Sequence, residues 1–197
     1  LACWQAAPGQ HVDLRILGSK TERLYLSAVS GEHASRIDSF PSASPGNFSF
    51  RLGAPLHPAG QYRLTFEQGR WLDLLVDGED VVMQTVDAAV TDSLSVLSSP
   101  INKTFHAFLR LHRDFKTKSD LLQVVIAKYP QDDPYYSQTL LTARRLQEGY
   151  GRFIRNTLRE AGGSLVARYI RSAQLPIADP TLPPESRLAY LKAHALD

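Results

Sequence analysis

The densest group of side chains that could hold a cation is Asp73, Asp77, Glu79 and Asp80. A calcium loop sets oxygen ligands at alternating positions and closes on a bidentate carboxylate. These four acids do not follow that spacing, and Asp77-Gly78 is a strong type I′ turn pair, so a solvated hairpin turn is expected here. Six histidines could ligate a metal or move a proton: His11, His33, His57, His106, His112 and His194. None stands in a His-Glu-x-x-His or other ligand spacing. His106 and His112 share a helical stretch, but six residues apart they do not share a face; His112 fits the apolar stripe of that helix better than a ligand role. The chain has no Gly-x-Ser-x-Gly elbow, no Gly-x-x-x-x-Gly-Lys phosphate loop and no Gly-x-Gly-x-x-Gly fingerprint. The sequence therefore assigns no catalytic, cofactor-binding or metal-binding residue.

One cysteine, Cys3, is present. A lone thiol forms neither an internal disulfide nor a Cys-x-x-Cys redox pair nor a thiolate metal cluster. The opening Leu1-Ala2-Cys3-Trp4, followed by Ala6-Ala7-Pro8-Gly9, has the character of a secretory-signal tail, with small residues of the kind a signal peptidase accepts. Leu1-Ala2-Cys3 also matches the end of a lipoprotein signal, in which Cys3 would carry a lipid anchor, although Trp4 is bulky for that motif. An exported, periplasmic or outer-membrane-associated protein is expected. Asn47-Phe48-Ser49 and Asn102-Lys103-Thr104 match the N-glycosylation acceptor pattern, which would carry no weight if the protein were bacterial. Tyr62, Phe66, Trp71, Tyr135, Tyr136 and Tyr150 could line a ligand groove, but aromatics at strand and helix periods mostly fill cores. A binding role would show as exposure of Trp71 or Tyr135.

The elements that must position these residues divide near Pro100. Before it, apolar residues alternate with period two; after it, they recur every three to four residues. Val12/Leu14/Ile16, Leu24/Leu26/Ala28, Phe48/Phe50/Leu52 and Tyr62/Leu64/Phe66 read as half-buried strands, with a weaker run at 35–40. Runs at 71–76, 81–83 and 94–97 follow. Ser44-Pro45-Gly46-Asn47 and Gly69 are the turn signals between them. The expectation is seven or eight antiparallel strands in a β-sandwich over 11–99, preceded by a signal remnant or disordered segment at 1–10.

Residues 100–197 read as helical. Phe105, Phe108, Leu109, His112 and Phe115 open a stripe that Leu122, Val125 and Ile126 continue. Asp133 and Pro134 are an N-cap and first-turn pair, and Gly162-Gly163 ends the second long helix. The two long helices should form an antiparallel hairpin. Ser164 caps a third helix, and Pro184 opens a fourth after a proline-rich stretch. The fold class expected is thus α+β, a sandwich followed by a helical segment. Charge follows the same division: residues 1–100 hold 7 Lys and Arg against 11 Asp and Glu, residues 101–197 hold 15 against 9. No basic run with interleaved aromatics accompanies this, so no nucleic-acid partner is expected.

Three blocks are more specific. They are Pro58-Ala59-Gly60-Gln61-Tyr62-Arg63-Leu64-Thr65-Phe66 with Gly69-Arg70-Trp71-Leu72-Asp73-Leu74, then Asp132-Asp133-Pro134-Tyr135-Tyr136, and Ser164-Leu165-Val166-Ala167-Arg168-Tyr169-Ile170. Together they resemble the N-terminal region of bacterial thiol-disulfide interchange-like envelope proteins, over about His11 to Asp197. In that family a β-sandwich and a helical segment precede a thioredoxin domain. The resemblance implies a non-catalytic accessory or docking region whose partner is a C-terminal thioredoxin-like domain or an envelope protein. The redox activity belongs to that domain's cysteine pair, so no catalytic residue carries over, and no cofactor is implied. The alternative is a stand-alone envelope module that binds a glycan, peptide or partner protein.

Overall fold

The computed structural model describes residues 9–66 and 69–194. The expected signal remnant and Cys3 lie outside them, apart from Gly9 and Gln10. The chain forms two compact units, residues 1–106 and 107–197.

The first unit is a β-sandwich of eight strands. One sheet has the order β4(Asn47–Leu52), β1(Gln10–Leu17), β7(Val81–Val86), β8(Ser95–Val96); the other has the order β3(His33–Pro41), β2(Arg23–Ser30), β5(Gly60–Thr65), β6(Trp71–Val76). Every pairing is antiparallel except β1 with β7, which run parallel from Val12↔Val81 to Leu17↔Val86. The alternating apolar residues all turn inward: Val12, Leu14, Ile16, Leu24, Leu26, Phe48, Phe50, Leu52, Leu64, Leu74 and Met83 form one core. Hydrophobic burial of this period-two face is what holds the two sheets together.

Two turn signals do not make hairpins. Ser44–Asn47 closes a local turn (Asn47 N to Ser44 O, 2.8 Å), but β3 before it and β4 after it belong to different sheets. Gly46, at φ +76°, lies so close to β1 that a Cβ there would sit 2.5 Å from Ile16 O. Likewise residues 77–80 join β6 of one sheet to β7 of the other, so the expected hairpin at Asp77-Gly78 is a crossover between sheets. Turn chemistry is local, whereas the strand that each run pairs with is chosen by the core. The Gly69 return does form its hairpin, pairing Thr65 with Trp71.

The helix α1(Pro100–Lys128) starts in the first unit and continues in the second. Asn102 ties its first turn to β6: the side-chain oxygen accepts from Leu75 N (2.8 Å), and the side-chain nitrogen donates to Leu75 O (2.9 Å). One amide thus supplies the rung that the edge strand β6 would otherwise lack.

In the second unit α1 is followed by α2(Pro134–Ala161), α3(Leu165–Ala173) and α4(Pro184–Ala193). Asp133 caps α2, accepting from Tyr135 N at 2.7 Å, with Pro134 in the first turn and Gly162 at its end (φ +55°). Ser164 caps α3 through Ala167 N. Phe115 stacks on Tyr150 with ring centres 4.1 Å apart, and Tyr129 meets Tyr135 edge-on across the turn, so α1 and α2 run antiparallel. Among the described residues no helix is long and apolar enough to cross a membrane.

Candidate functional site

The acidic group is divided and occupied. Asp73 stands on β6, where Arg63 holds it through two bonds of 2.8 and 3.0 Å and Gln61 adds a third. Glu79 accepts from the Ser99 hydroxyl (2.7 Å) and from Ile101 N, at the start of α1. Asp80 accepts from His11 N at 2.7 Å. The backbone N–H groups of Asp77 and Gly78 both donate to the Gln10 side-chain oxygen. These carboxylates fasten the crossover to β1 and to α1, and no three His, Cys, Asp or Glu side chains among the described residues converge as a metal site.

The histidines stand apart. His11 Nε2 is 3.1 Å from Asp13 Oδ1 and 3.2 Å from Ser49 Oγ, which puts serine, histidine and aspartate in contact. A nucleophilic relay needs the carboxylate and the hydroxyl on opposite ring nitrogens. Here both approach the same nitrogen, and Nδ1 is buried without a hydrogen-bond partner, so no proton can be relayed from Ser49 towards Asp13. His57, buried beneath Phe40 and Tyr62, bonds Asp38 at 3.1 Å. His106 packs on Phe105. His112 receives the Tyr150 hydroxyl at 3.1 Å, while that hydroxyl accepts from Leu175 N at 3.2 Å. Burial pulls the His112 pKa below its ordinary value, with Lys116 adding a smaller push the same way. Asn102 of the Asn-x-Thr pattern is buried with its amide committed to β6.

The aromatics split. Tyr62, Phe66 and Tyr150 are core, at 3%, 2% and 2% exposure; Trp71 and Tyr135 are open, at 44% and 54%. Trp71 belongs to a recognisable surface. Because Leu24, Leu26, Leu64, Leu72 and Leu74 face the core, the residues between them face outward from the β3-β2-β5-β6 sheet. Cross-strand register then aligns two rows, Ser39–Tyr25–Thr65–Trp71 and Arg36–Ser27–Arg63–Asp73. The Arg63 guanidinium lies 3.7 Å above the Trp71 ring, and that of Arg36 lies 4.0 Å above Tyr25. Such stacks hold planar groups at fixed positions on a flat face. The sequence reading singled out Trp71 but missed Tyr25, Arg36 and Arg63. Alternation with the core leucines was the signal that could have placed Tyr25 and Arg63 on one face; Arg36 needed the β3 bulge, which no local pattern shows.

No family model matches the chain, and no curated protein matches it. Among solved structures it is similar to an (S)-allantoin synthase, with 16% identity and a TM-score of 0.34 over 48% of this chain and 44% of that one.

Proposed function

We propose that the chain is a non-catalytic docking region, the accessory N-terminal part of an exported thiol-disulfide oxidoreductase-like envelope protein. Its partner in that reading is a thioredoxin-like domain following it in the same polypeptide, or another envelope protein, and its place is the periplasm or the outer membrane, with any membrane attachment made through a lipid on Cys3. The carrying observation is that the side chains with reactive potential hold the fold together: Asp73, Glu79 and Asp80 by hydrogen bonding, His57 and His112 by burial against aromatic rings. The lone cysteine supports the same reading, since dithiol exchange needs two. The test joins a gene-level and a biochemical measurement. A downstream thioredoxin-like domain with Cys-x-x-Cys, and insulin reduction by the longer product but not by residues 1–197, is the expected result. A reading frame that stops at Asp197, or reduction by residues 1–197 alone, overturns it.

The exposure of Trp71 and Tyr135 favours a second reading, a stand-alone module binding a glycan, peptide or partner protein. On that reading Trp71→Ala weakens capture of the ligand about tenfold while leaving the melting temperature in place, because a well-desolvated aromatic contact contributes about 1.4 kcal/mol or more.

A further inference from the structure

Within the helical unit, the proline-rich segment 174–183 returns along α2 as a strap. Leu175 N donates to the Tyr150 hydroxyl, Gln147 Nε2 donates to Ala178 O at 2.7 Å, and Ile177 lies over Gly151. A Cβ at Gly151 would come within 3.1 Å of Ile177 Cδ1 and 3.2 Å of an Arg155 guanidinium nitrogen, so the glycine is what lets strap and arginine approach the helix together. Beside the strap is a cavity of about 320 Å³, at the small end of the range for small-molecule sites.

Its walls are of two kinds. Ile154, Leu175, Pro176 and Ile177 form an apolar side; Arg155, Arg171 and His194 lie on the rest, and among the described residues no Asp or Glu lines the cavity. This one-signed lining is not relieved along the helices. The residues three and four positions from Arg155 are Gly151, Arg152, Leu158 and Arg159, and those before Arg171 are Ala167 and Arg168. On a solvated helix face, arginines gain from acids at those spacings; here there are none. Arg171 spends one guanidinium nitrogen on Gly162 O, at 3.1 Å. Among the described residues Arg155 has no hydrogen-bond or ion-pair partner.

An inorganic anion would use the arginines and leave the aliphatic wall wet; a neutral alkyl compound would do the reverse. We propose that this cavity binds a small amphipathic carboxylic acid, its carboxylate on Arg155 and Arg171 and its alkyl chain on Ile154, Pro176 and Ile177. A planar carboxylate matches the two-pronged donor geometry of guanidinium, and charge-assisted hydrogen bonds are the stronger kind. The site is independent of any redox role for the chain.

Calorimetric titration of the whole 197-residue chain with octanoate tests this, with octanol and acetate as controls. Saturable one-to-one octanoate binding is expected, with both controls at least about tenfold weaker, and Arg155→Gln or Arg171→Gln weakening octanoate about tenfold at unchanged melting temperature. Octanol binding as tightly as octanoate, acetate binding as tightly, or absence of saturable binding overturns the proposal. Should the arginine variants unfold, methyl chemical shifts of the unaltered protein decide. Octanoate must move Ile154 and Ile177; shifts confined to other residues overturn the assignment.

Discussion

At the scale of single residues, several hydrogen-bonding side chains tie one element to another. Asn102 shows this most directly, since its one amide answers both backbone groups of Leu75. Asn102→Ala strands the buried Leu75 N–H, at a cost of about 1–3 kcal/mol, and leaves the Leu75 carbonyl only the long Gln10 side-chain bond of 3.4 Å. A loss of roughly 3 kcal/mol in urea unfolding is expected; a loss below about 1 kcal/mol would mean that β6 finds another partner. His112 gives a pH signature. Burial keeps its folded pKa below the ordinary 6.5, so between those values the unfolded chain binds a proton that the folded chain does not. Its contribution is therefore complete above pH 6.5 and is lost as pH falls through the depressed value. His112→Gln should make the decline in stability between pH 7 and pH 5 shallower than in the parent protein, read from urea midpoints across that range. Parallel declines in the two proteins would contradict this.

At the scale of elements, what was legible in the sequence was what is local. Inward alternation placed Val12, Leu14 and Ile16 correctly because a strand's side chains take opposite faces whatever its partner. Asp133, Pro134, Gly162 and Ser164 marked helix ends because a cap acts within one turn. Asp133→Ala should accordingly destabilise the helical unit by about 1 kcal/mol, read by thermal unfolding followed at 222 nm. Partner choice was not legible. Ser44–Asn47 and Asp77–Asp80 carry the residues of hairpin turns, yet each joins strands of different sheets, and the parallel β1–β7 pair links residues about 70 apart. The β3 edge was equally hidden. Ile37 is an extra residue between the pairs Leu26↔Asp38 and Ser27↔Arg36, and Asp38 turns its carboxylate to the buried His57. A bulge and an inward-turned charge blunt an edge strand against further pairing, which argues against that edge as a docking strip and leaves the Arg63–Trp71 face of the same sheet as the more available surface.

At the scale of the whole molecule, the change of period at Pro100 marks where helix begins, but the compact units divide after His106. The difference lies in the first turn of α1. Ser99 and Ile101 bind Glu79 of the β6–β7 crossover, and Asn102 completes β6, so this turn is helical in backbone but belongs to the sandwich in its bonding. Periodicity reports local conformation and is blind to which unit a residue's hydrogen bonds serve. The division has a measurable consequence. A fragment of residues 9–98 leaves Leu75 N, Leu75 O and the Glu79 carboxylate without these partners, whereas residues 9–110 keep all of them. With a net worth of about 1 kcal/mol per bond, and four bonds at stake, the shorter fragment should be less stable by roughly 4 kcal/mol in urea unfolding. Asn102→Ala in the longer fragment should recover about half or more of that difference. Equal stability of the two fragments would place the boundary of the sandwich at Pro100 and reduce the first turn of α1 to a connection.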